Sequence, residues 1–475
     1  MPAVLYCKKC SRHRPTNKFR RCTEHVNIHY ETKTQDFKAR ESTLTILIES
    51  SLHIRAMYHI FVVILIILLL DTVVFDFIQY GKINIGLRVV ASGFGDFRRG
   101  LRIWLFQLCV ALALYPGLQI FAFGARHLRK YPGILRMWSW CGVAGVVALQ
   151  TLLLGVPTWQ LANKHLAVAS AISVTCEMFR FAMKIHAVTV ACSPRCLGGQ
   201  KPLPTFKHYL YFLFAPTLVY RDQYPRTKKI RWGVVAFHFS EVAAIVFYDS
   251  FLWERFILPY WSDFGKQTQV EAGYVVRGMF GCILPGMLSF LCGFYCLLHA
   301  WMNAFAEMLT FADKQFYEEW WTKSQFSHYY RSWNLVVYCW LRDHIYKPLA
   351  PRSGRGTATL VVFLISSIAH EVVLALSFGF FYPVLLVEFG VLGLIFVPLT
   401  ASSGRRFPNV FNVIMWLSFF IGNGLLWSLY PMEYFARQNC PPSDDDRFYI
   451  PKSWTCPNIA LRPDWSFQNP INIIL

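Results

Sequence analysis

Residues 57–78 read MYHIFVVILIILLLDTVVFDFI, an almost unbroken apolar run near the start of the chain. A helix of this length can cross a hydrocarbon core of roughly 30 Å. The composition agrees, because 55% of the 475 residues are hydrophobic, 17% are aromatic and only 16% are charged. Soluble domains carry roughly 25% charged residues, so a soluble fold of this size is excluded. The sequence therefore predicts an all-α polytopic membrane protein.

Further apolar runs bring the predicted number of membrane-spanning helices to about nine. They cover residues 103–125, 137–161, 167–192, 232–252, 274–305, 357–381, 383–401 and 411–431. The N-terminal segment 1–56 contains eleven Lys and Arg residues against five Asp and Glu residues. Because basic flanks remain on the cytosolic side, this segment is predicted to be cytosolic. An odd number of spans then leaves the C-terminus in the lumen.

Three regions follow from this reading: the basic segment 1–56, a membrane domain at 57–431 and a luminal tail at 432–475. A net charge of +20 would suggest nucleic acid as the partner of a soluble protein. Here the basic residues fall mostly between apolar runs, where they set topology and meet anionic lipid, so no nucleic-acid partner is expected. The aromatic cytosolic stretches 208–224 and 316–348 are interpreted either as amphipathic helices at the membrane surface or as a vestibule over an intramembrane site.

His370 is the first candidate for chemistry, within TATLVVFLISSIAHEVVLALSFGFF at 357–381. Ionisable side chains are costly near the middle of a span and usually face the protein interior. A neutral imidazole can take a proton from an alcohol near neutral pH. The alternative is a structural histidine that bonds a neighbouring helix. Taken alone, the sequence leaves both open, and the adjacent Glu371 also needs a partner.

Asn334, in YYRSWNLVVYCW, is the second candidate. Its amide could donate a hydrogen bond to a developing oxyanion or to a thioester carbonyl, or it could make an ordinary polar contact. The chain has no G-x-S-x-G elbow, P-loop or H-E-x-x-H motif. We therefore expect any chemistry to be direct transfer without a covalent enzyme intermediate.

A possible structural zinc site lies at the N-terminus. Cys7 and Cys10 are followed by Cys22 and His25, and three thiolates with one imidazole could close a tetrahedral site in the reducing cytosol. The alternative is a basic tail whose thiols are incidental.

The stretch Phe316–Thr322 reads FYEEWWT. It resembles the FYxDWWN signature of the sterol O-acyltransferase and diacylglycerol acyltransferase branch of the membrane-bound O-acyltransferase superfamily. The similarity continues through YYRSWNLVVYCWLRDHIYKPL and SIAHEVVLALSFG. Other stretches, among them FLFAPTLVYRDQYPRTKKIRWG, resemble the sterol branch more than the diacylglycerol one. The resemblance covers residues from about 37 to 456.

The resemblance implies an endoplasmic-reticulum enzyme of nine spans that assembles as a dimer or tetramer. Such enzymes esterify a membrane-dissolved alcohol with a fatty acyl group, with acyl-CoA as co-substrate and no cofactor required for catalysis. The family's catalytic histidine falls on His370 and its motif asparagine on Asn334. Contacts to acyl-CoA are expected from the motif region: Phe316, Tyr317, Glu319, Trp320, Trp321, Tyr330, Arg331, Trp333, Tyr338 and Lys347.

Three departures from the family pattern concern the acceptor. Glu319 replaces an Asp, Thr322 replaces an Asn, and Tyr338 replaces a second histidine. A phenol has a pKa of roughly 10 and is a poor base at pH 7. A sterol is the expected alcohol, and a fatty alcohol or diacylglycerol are the alternative substrates. A further alternative is that the protein is a catalytically inactive lipid-binding membrane protein.

Cys440 and Cys456 flank the polar stretch PPSDDDRFYIPKSWT in the predicted luminal tail. The lumen favours disulfides, and the resemblance implies a bridge at these positions. We therefore expect a disulfide bond between them rather than two free thiols.

Overall fold

The described part of the chain is built almost entirely from helices. The structure is a computed structural model, and it describes residues 37–81, 87–197, 202–442 and 447–460. The candidate zinc ligands Cys7, Cys10, Cys22 and His25 lie outside the described residues. The α-helices are α1 (Thr43–Ser50), α2 (Leu52–Tyr80), α3 (Leu87–Gly93), α4 (Phe97–His127), α5 (Pro132–Asn163), α6 (Val168–Cys196), α7 (Phe206–Phe214), α8 (Trp232–Leu252), α9 (Leu258–Trp261), α10 (Ala272–Gly281), α11 (Ile283–Phe294), α12 (Met302–Met308), α13 (Phe326–Ser332), α14 (Leu335–Leu341), α15 (Lys347–Ser353), α16 (Arg355–Phe378), α17 (Gly393–Arg406) and α18 (Pro408–Asn439). Two short strands, β1 (Gln269–Glu271) and β2 (Asn458–Ala460), pair in parallel.

Eight helical stretches in the described residues are long and apolar enough to cross a membrane. They are Leu52–Gln79, Phe97–Lys130, Pro132–Asn163, Trp232–Trp261, Ala272–Met308, Arg355–Phe378, Leu386–Arg406 and Pro408–Asn439. Three of these stretches, Trp232–Trp261, Ala272–Met308 and Leu386–Arg406, contain π-helical turns, at Trp253–Ile257, Tyr295–Trp301 and Leu386–Leu392. The predicted class, an all-α polytopic membrane protein, is confirmed.

Helix α6 accounts for the difference between the eight stretches and the nine predicted spans. It covers the predicted span 167–192 but carries Glu177, Arg180 and Lys184 in its middle. The helix packs against α4, α5 and α16, and Lys184 is buried. Its ammonium donates to the carbonyl oxygens of Phe212 and Ala215, at 2.5 and 2.8 Å. The charge of Lys184 is therefore satisfied by protein rather than exposed to lipid.

Proline and glycine fix several helix ends. Pro132 and Pro408 stand in the first turns of α5 and α18, where a missing N–H costs nothing. Gly81 and Gly379 end α2 and α16 with φ angles of 63° and 78°. A Cβ on Gly379 would lie 2.6 Å from Cε1 of His165, so both the backbone angle and the close packing require glycine there.

The aromatic stretches 208–224 and 316–348 are packed into the helical bundle. Tyr209, Phe212 and Leu213 of α7 are fully buried against α4 and α6. The second stretch forms a 3₁₀ turn, α13 and α14, and its aromatic rings pack on α11 and α18. These segments therefore form part of the protein core that surrounds the candidate site.

The segment 37–43, which we term the N-terminal strap, is tied to the loop that precedes the FYEEWWT motif. Arg40 donates its backbone N–H to Ala312 and accepts one from Lys314, at 2.9 and 3.0 Å. Its guanidinium also binds Asp313 at 2.7 Å. A second set of charges, the ion cluster, comprises Glu41, Arg231, Glu307 and Lys314. The N-terminal strap is thus bonded to the residues that directly precede the motif.

The C-terminal tail is held by a disulfide bond and a buried carboxylate. Cys440 and Cys456 are bonded, with their Cα atoms 6.2 Å apart. Glu433 is buried and accepts the backbone N–H groups of Lys452 and Ser453, each at 2.8 Å. The pairing of β2 with β1 adds a third attachment.

We expect removal of the disulfide to destabilise the protein. Closing a loop of this size contributes roughly 3 kcal/mol in the chain-entropy model, so Cys440→Ser/Cys456→Ser should unfold at a lower denaturant concentration. Cys141→Ser, which removes an exposed free thiol, is the matched control. Mass spectrometry after alkylation without reduction should show one peptide pair joined through Cys440 and Cys456. Alkylated Cys440 and Cys456 in the wild-type protein would contradict the bond.

Candidate active site

His370 lies on α16 and is exposed. Its Nδ1 lies 2.7 Å from the carbonyl oxygen of Ser366, one turn earlier on the same helix. A carbonyl only accepts hydrogen bonds, so this contact places a hydrogen on Nδ1. Nε2 is then the unprotonated nitrogen of the neutral ring and can accept a proton. The imidazole of His370 forms no hydrogen bond with any other described residue.

The neighbouring Glu371 has a structural role. It is buried and accepts hydrogen bonds from the hydroxyl of Tyr430 at 2.9 Å and the backbone N–H of Leu386 at 3.0 Å. These bonds join α16, the π-helical turn Leu386–Leu392 and α18. Glu371 therefore fixes the helix that carries His370, and the side chain of His370 forms no hydrogen bond to the described residues of these two elements.

Asn334 is the N-cap of α14. Its Oδ1 accepts the backbone N–H of Val337 at 3.1 Å, which is the usual role of asparagine at this position. The ordinary polar contact foreseen as the alternative is thus present. No described residue accepts a hydrogen bond from Nδ2 of Asn334, and the amide N–H groups remain able to donate to a substrate.

A chain of aromatic rings links the motif segment to His370. Tyr330 of α13 contacts Phe363 and Phe389, with ring centroids 4.9 and 5.3 Å apart. Phe389 in turn contacts the imidazole of His370, at 5.5 Å. A single aromatic ring, that of Phe389, therefore lies between Tyr330 and His370.

The buried aromatic residues of the motif support the site. Phe316, Tyr317 and Trp320 are at most 2% exposed. Trp320 packs edge-on against Trp333 at 4.7 Å, and Trp333 stacks on Phe290 at the same distance. We assign Phe316, Tyr317 and Trp320 a structural role, because side chains enclosed by protein are not available to acyl-CoA in this structure.

The motif also has members at its surface. Glu319, Thr322 and Arg331 are exposed, and the hydroxyl of Thr322 donates to the carbonyl oxygen of Glu319 at 2.9 Å. The backbone carbonyl oxygen of Trp321 accepts hydrogen bonds from side chains of α18. An exposed carboxylate tolerates one more methylene, so the change from Asp to Glu at position 319 is accommodated without repacking.

Tyr338 and Lys347 lie on the same stretch of helix, next to Asp343. Burial raises the pKa of Tyr338, so its phenol stays protonated at pH 7 and cannot act as a base. Asp343 binds Lys347 at 2.8 Å and Arg342 at 2.9 Å. Two positive charges and one negative charge leave this surface positive.

Two groups of histidines were not among the candidate site residues predicted from the sequence. His344 packs against Trp340 and His186, and burial, together with His186, lowers its pKa to about 4, so it is neutral at pH 7. His238 and His299 lie together in the membrane helices with a glutamate between them. The rule that singled out His370, that an ionisable residue within a span is rarely accidental, would have found His299 in the run 274–305 as well.

Comparison with known families identifies the fold. The model of the membrane-bound O-acyltransferase family matches residues 101–431, a region that includes Asn334 and His370. The chain belongs to the membrane-bound O-acyltransferase family. The resemblance noted in the sequence is confirmed, and the protein is an acyltransferase.

Several relatives of this membrane-bound O-acyltransferase match along most of its length. Sterol O-acyltransferase 1 of Mus musculus is 38% identical over 439 residues, which cover 88% of this chain and 79% of the mouse protein. Sterol O-acyltransferase 1 of Rattus norvegicus is 38% identical over 434 residues, or 88% of this chain and 78% of the rat protein. Sterol O-acyltransferase 2 of Homo sapiens is 34% identical over 436 residues, or 89% of this chain and 81% of the human protein.

Proposed function

We propose that the protein esterifies a membrane-dissolved sterol with a long-chain acyl group from acyl-CoA, giving a sterol ester and free CoA. The observation that carries the proposal is the state of His370, an imidazole within a membrane helix whose Nε2 has no partner among the described residues. Similarity to sterol O-acyltransferases over 88% of the chain supports the choice of alcohol.

In the proposed mechanism His370 is the general base. The alcohol oxygen attacks the carbonyl carbon of the thioester while Nε2 takes the hydroxyl proton. The tetrahedral intermediate then collapses, the C–S bond breaks, and the sulfur of CoA leaves with the proton returned by His370. Nδ2 of Asn334 donates a hydrogen bond to the carbonyl oxygen as negative charge develops on it. The reaction needs no cofactor.

The approach of the substrates follows from their chemistry. The phosphates of acyl-CoA are anionic and suit the positive surface formed by Arg331, Arg342 and Lys347, together with the basic stretch 220–231. The acyl chain and the alcohol are apolar and stay in the membrane. A base within a membrane helix therefore meets the alcohol where the alcohol is dissolved.

Further properties belong to the same proposal. The protein resides in the endoplasmic-reticulum membrane with segment 1–56 in the cytosol, the domain 57–431 in the membrane and the tail 432–475 in the lumen. It assembles as a dimer or tetramer. Cys7, Cys10, Cys22 and His25 bind a structural zinc ion.

A panel of acceptor alcohols tests the substrate. Purified protein in lipid nanodiscs receives labelled oleoyl-CoA with cholesterol, diacylglycerol or a fatty alcohol, and the esters are separated and counted. We expect cholesterol to give the largest kcat/KM. A preference for either of the other two would replace the sterol, and the absence of any ester would favour the catalytically inactive alternative.

A further inference from the structure

Three metal-ligating side chains meet away from His370. His238 and Glu241 lie one turn apart on α8, and His299 lies in the π-helical turn Tyr295–Trp301. One ligand atom from each residue lies within 4.8 Å of the other two. All three side chains are at least nine-tenths buried. We call this set the His/Glu cluster.

The outer contacts of the His/Glu cluster hold its ligands in place. Oε1 of Glu241 accepts hydrogen bonds from the hydroxyls of Tyr58 and Tyr295, at 3.1 and 2.5 Å. Nδ1 of His299 lies 2.7 Å from the hydroxyl of Tyr317. Metal sites usually have such a second layer, in which the remaining polar atoms of each ligand are bonded to other groups and fix its orientation. Nε2 of His299 stays available for a metal, whereas Oε2 of Glu241 lies 2.8 Å from Nδ1 of His238, a contact that a bound metal ion would replace.

The charge of the His/Glu cluster also favours a cation. Glu241 lies in a candidate membrane span, where an uncompensated carboxylate is costly. In the described part of the chain it has no Lys or Arg partner, and its ion-pair contact is with Nδ1 of His238 at 2.8 Å. A metal ion could take the place of this contact and bind both groups.

We propose that His238, Glu241 and His299 bind one divalent transition-metal ion, and that Zn²⁺ fits the donor set best. Two imidazoles and one carboxylate are common ligands of zinc, whereas magnesium and calcium prefer oxygen ligands alone. The bound ion would connect α8 to the π-helical turn and, through Tyr58 and Tyr317, to α2 and the FYEEWWT motif. Three protein ligands leave the fourth position of the ion to a water molecule, and the ion takes no part in the proposed acyl transfer, whose base is His370.

Zinc content of the full-length protein tests the site. The Cys7→Ser/Cys10→Ser protein removes two of the N-terminal thiols, so that zinc counted in it belongs elsewhere. After treatment with a chelator and addition of Zn²⁺ at neutral pH, elemental mass spectrometry should find about one zinc per chain. Adding Glu241→Ala or His299→Ala should abolish it. Tyr58→Phe, which removes a hydrogen bond to Glu241 but no ligand, should keep it.

Two outcomes overturn the proposal. One is a folded Cys7→Ser/Cys10→Ser protein without zinc, which would leave the cluster as a metal-free hydrogen-bond network. The other is zinc retained after Glu241→Ala. If the ligand variants do not fold, Co²⁺ added to the Cys7→Ser/Cys10→Ser protein decides instead: a tetrahedral d–d absorption band displaced by Zn²⁺ supports the site, and its absence contradicts it.

Discussion

We expect His370→Ala to lower kcat by about 10²–10⁴-fold while the protein remains folded, because the general base is lost and the alcohol must surrender its proton unaided. The fold should survive since His370 is exposed and bonds only to Ser366 of its own helix among the described residues. Labelled oleoyl-CoA with cholesterol measures the rate. Turnover near the wild-type value would refute the assignment.

His127 offers a matched control for this variant. It is also exposed on a membrane helix, and its Nδ1 lies 3.0 Å from the carbonyl oxygen of Phe123 one turn earlier. His127→Ala therefore removes the same side chain and the same kind of contact, and we expect it to leave kcat unchanged. His370→Gln separates a base from a positioning group, because glutamine retains a hydrogen-bonding amide but cannot take a proton. It should be as inactive as His370→Ala.

The membrane helices could be predicted because length and hydropathy are local properties of the sequence. For helix α6, length and hydropathy are not sufficient, because the helix carries charged residues in its middle. Its Glu177, Arg180 and Lys184 would be expensive against lipid, and only the tertiary structure shows that Lys184 is buried and that Glu177 and Arg180 pair with each other. The pairing of Cys440 with Cys456 could be predicted, because only a short polar stretch separates the two cysteines along the chain.

The candidate site was predicted less completely. The motif FYEEWWT identifies residue types, but it does not say that Phe316, Tyr317 and Trp320 point into the core while Glu319 remains exposed. Side-chain direction depends on the turns between short helices. The meeting of His238 with His299 depends on the packing of α8 against a π-helical turn, for which the sequence carries no local signal beyond charge in an apolar run.

Loss of a single charge from the ion cluster should destabilise the region around the motif. The side chains of Glu307 and Lys314 are 0% and 3% exposed, and they lie 2.8 Å apart. Glu307 also binds Arg231 at 2.7 Å. Breaking a buried pair leaves an uncompensated charge, so Glu307→Gln should lower the free energy of unfolding by about 3–5 kcal/mol. A denaturant titration of the solubilised protein, followed by tryptophan fluorescence, measures the change.

Glu41 provides the matched control, because it contacts the same Lys314 and Arg231, at 3.0 and 3.3 Å, but is 43% exposed. Glu41→Gln should cost about 1 kcal/mol or less, as is usual for solvent-exposed pairs. Equal losses in the two variants would show that burial does not set the strength of the cluster. Glu307→Met/Lys314→Met removes both buried charges, and we expect it to recover most of the stability lost in Glu307→Gln, since Arg231 is 44% exposed and can be solvated.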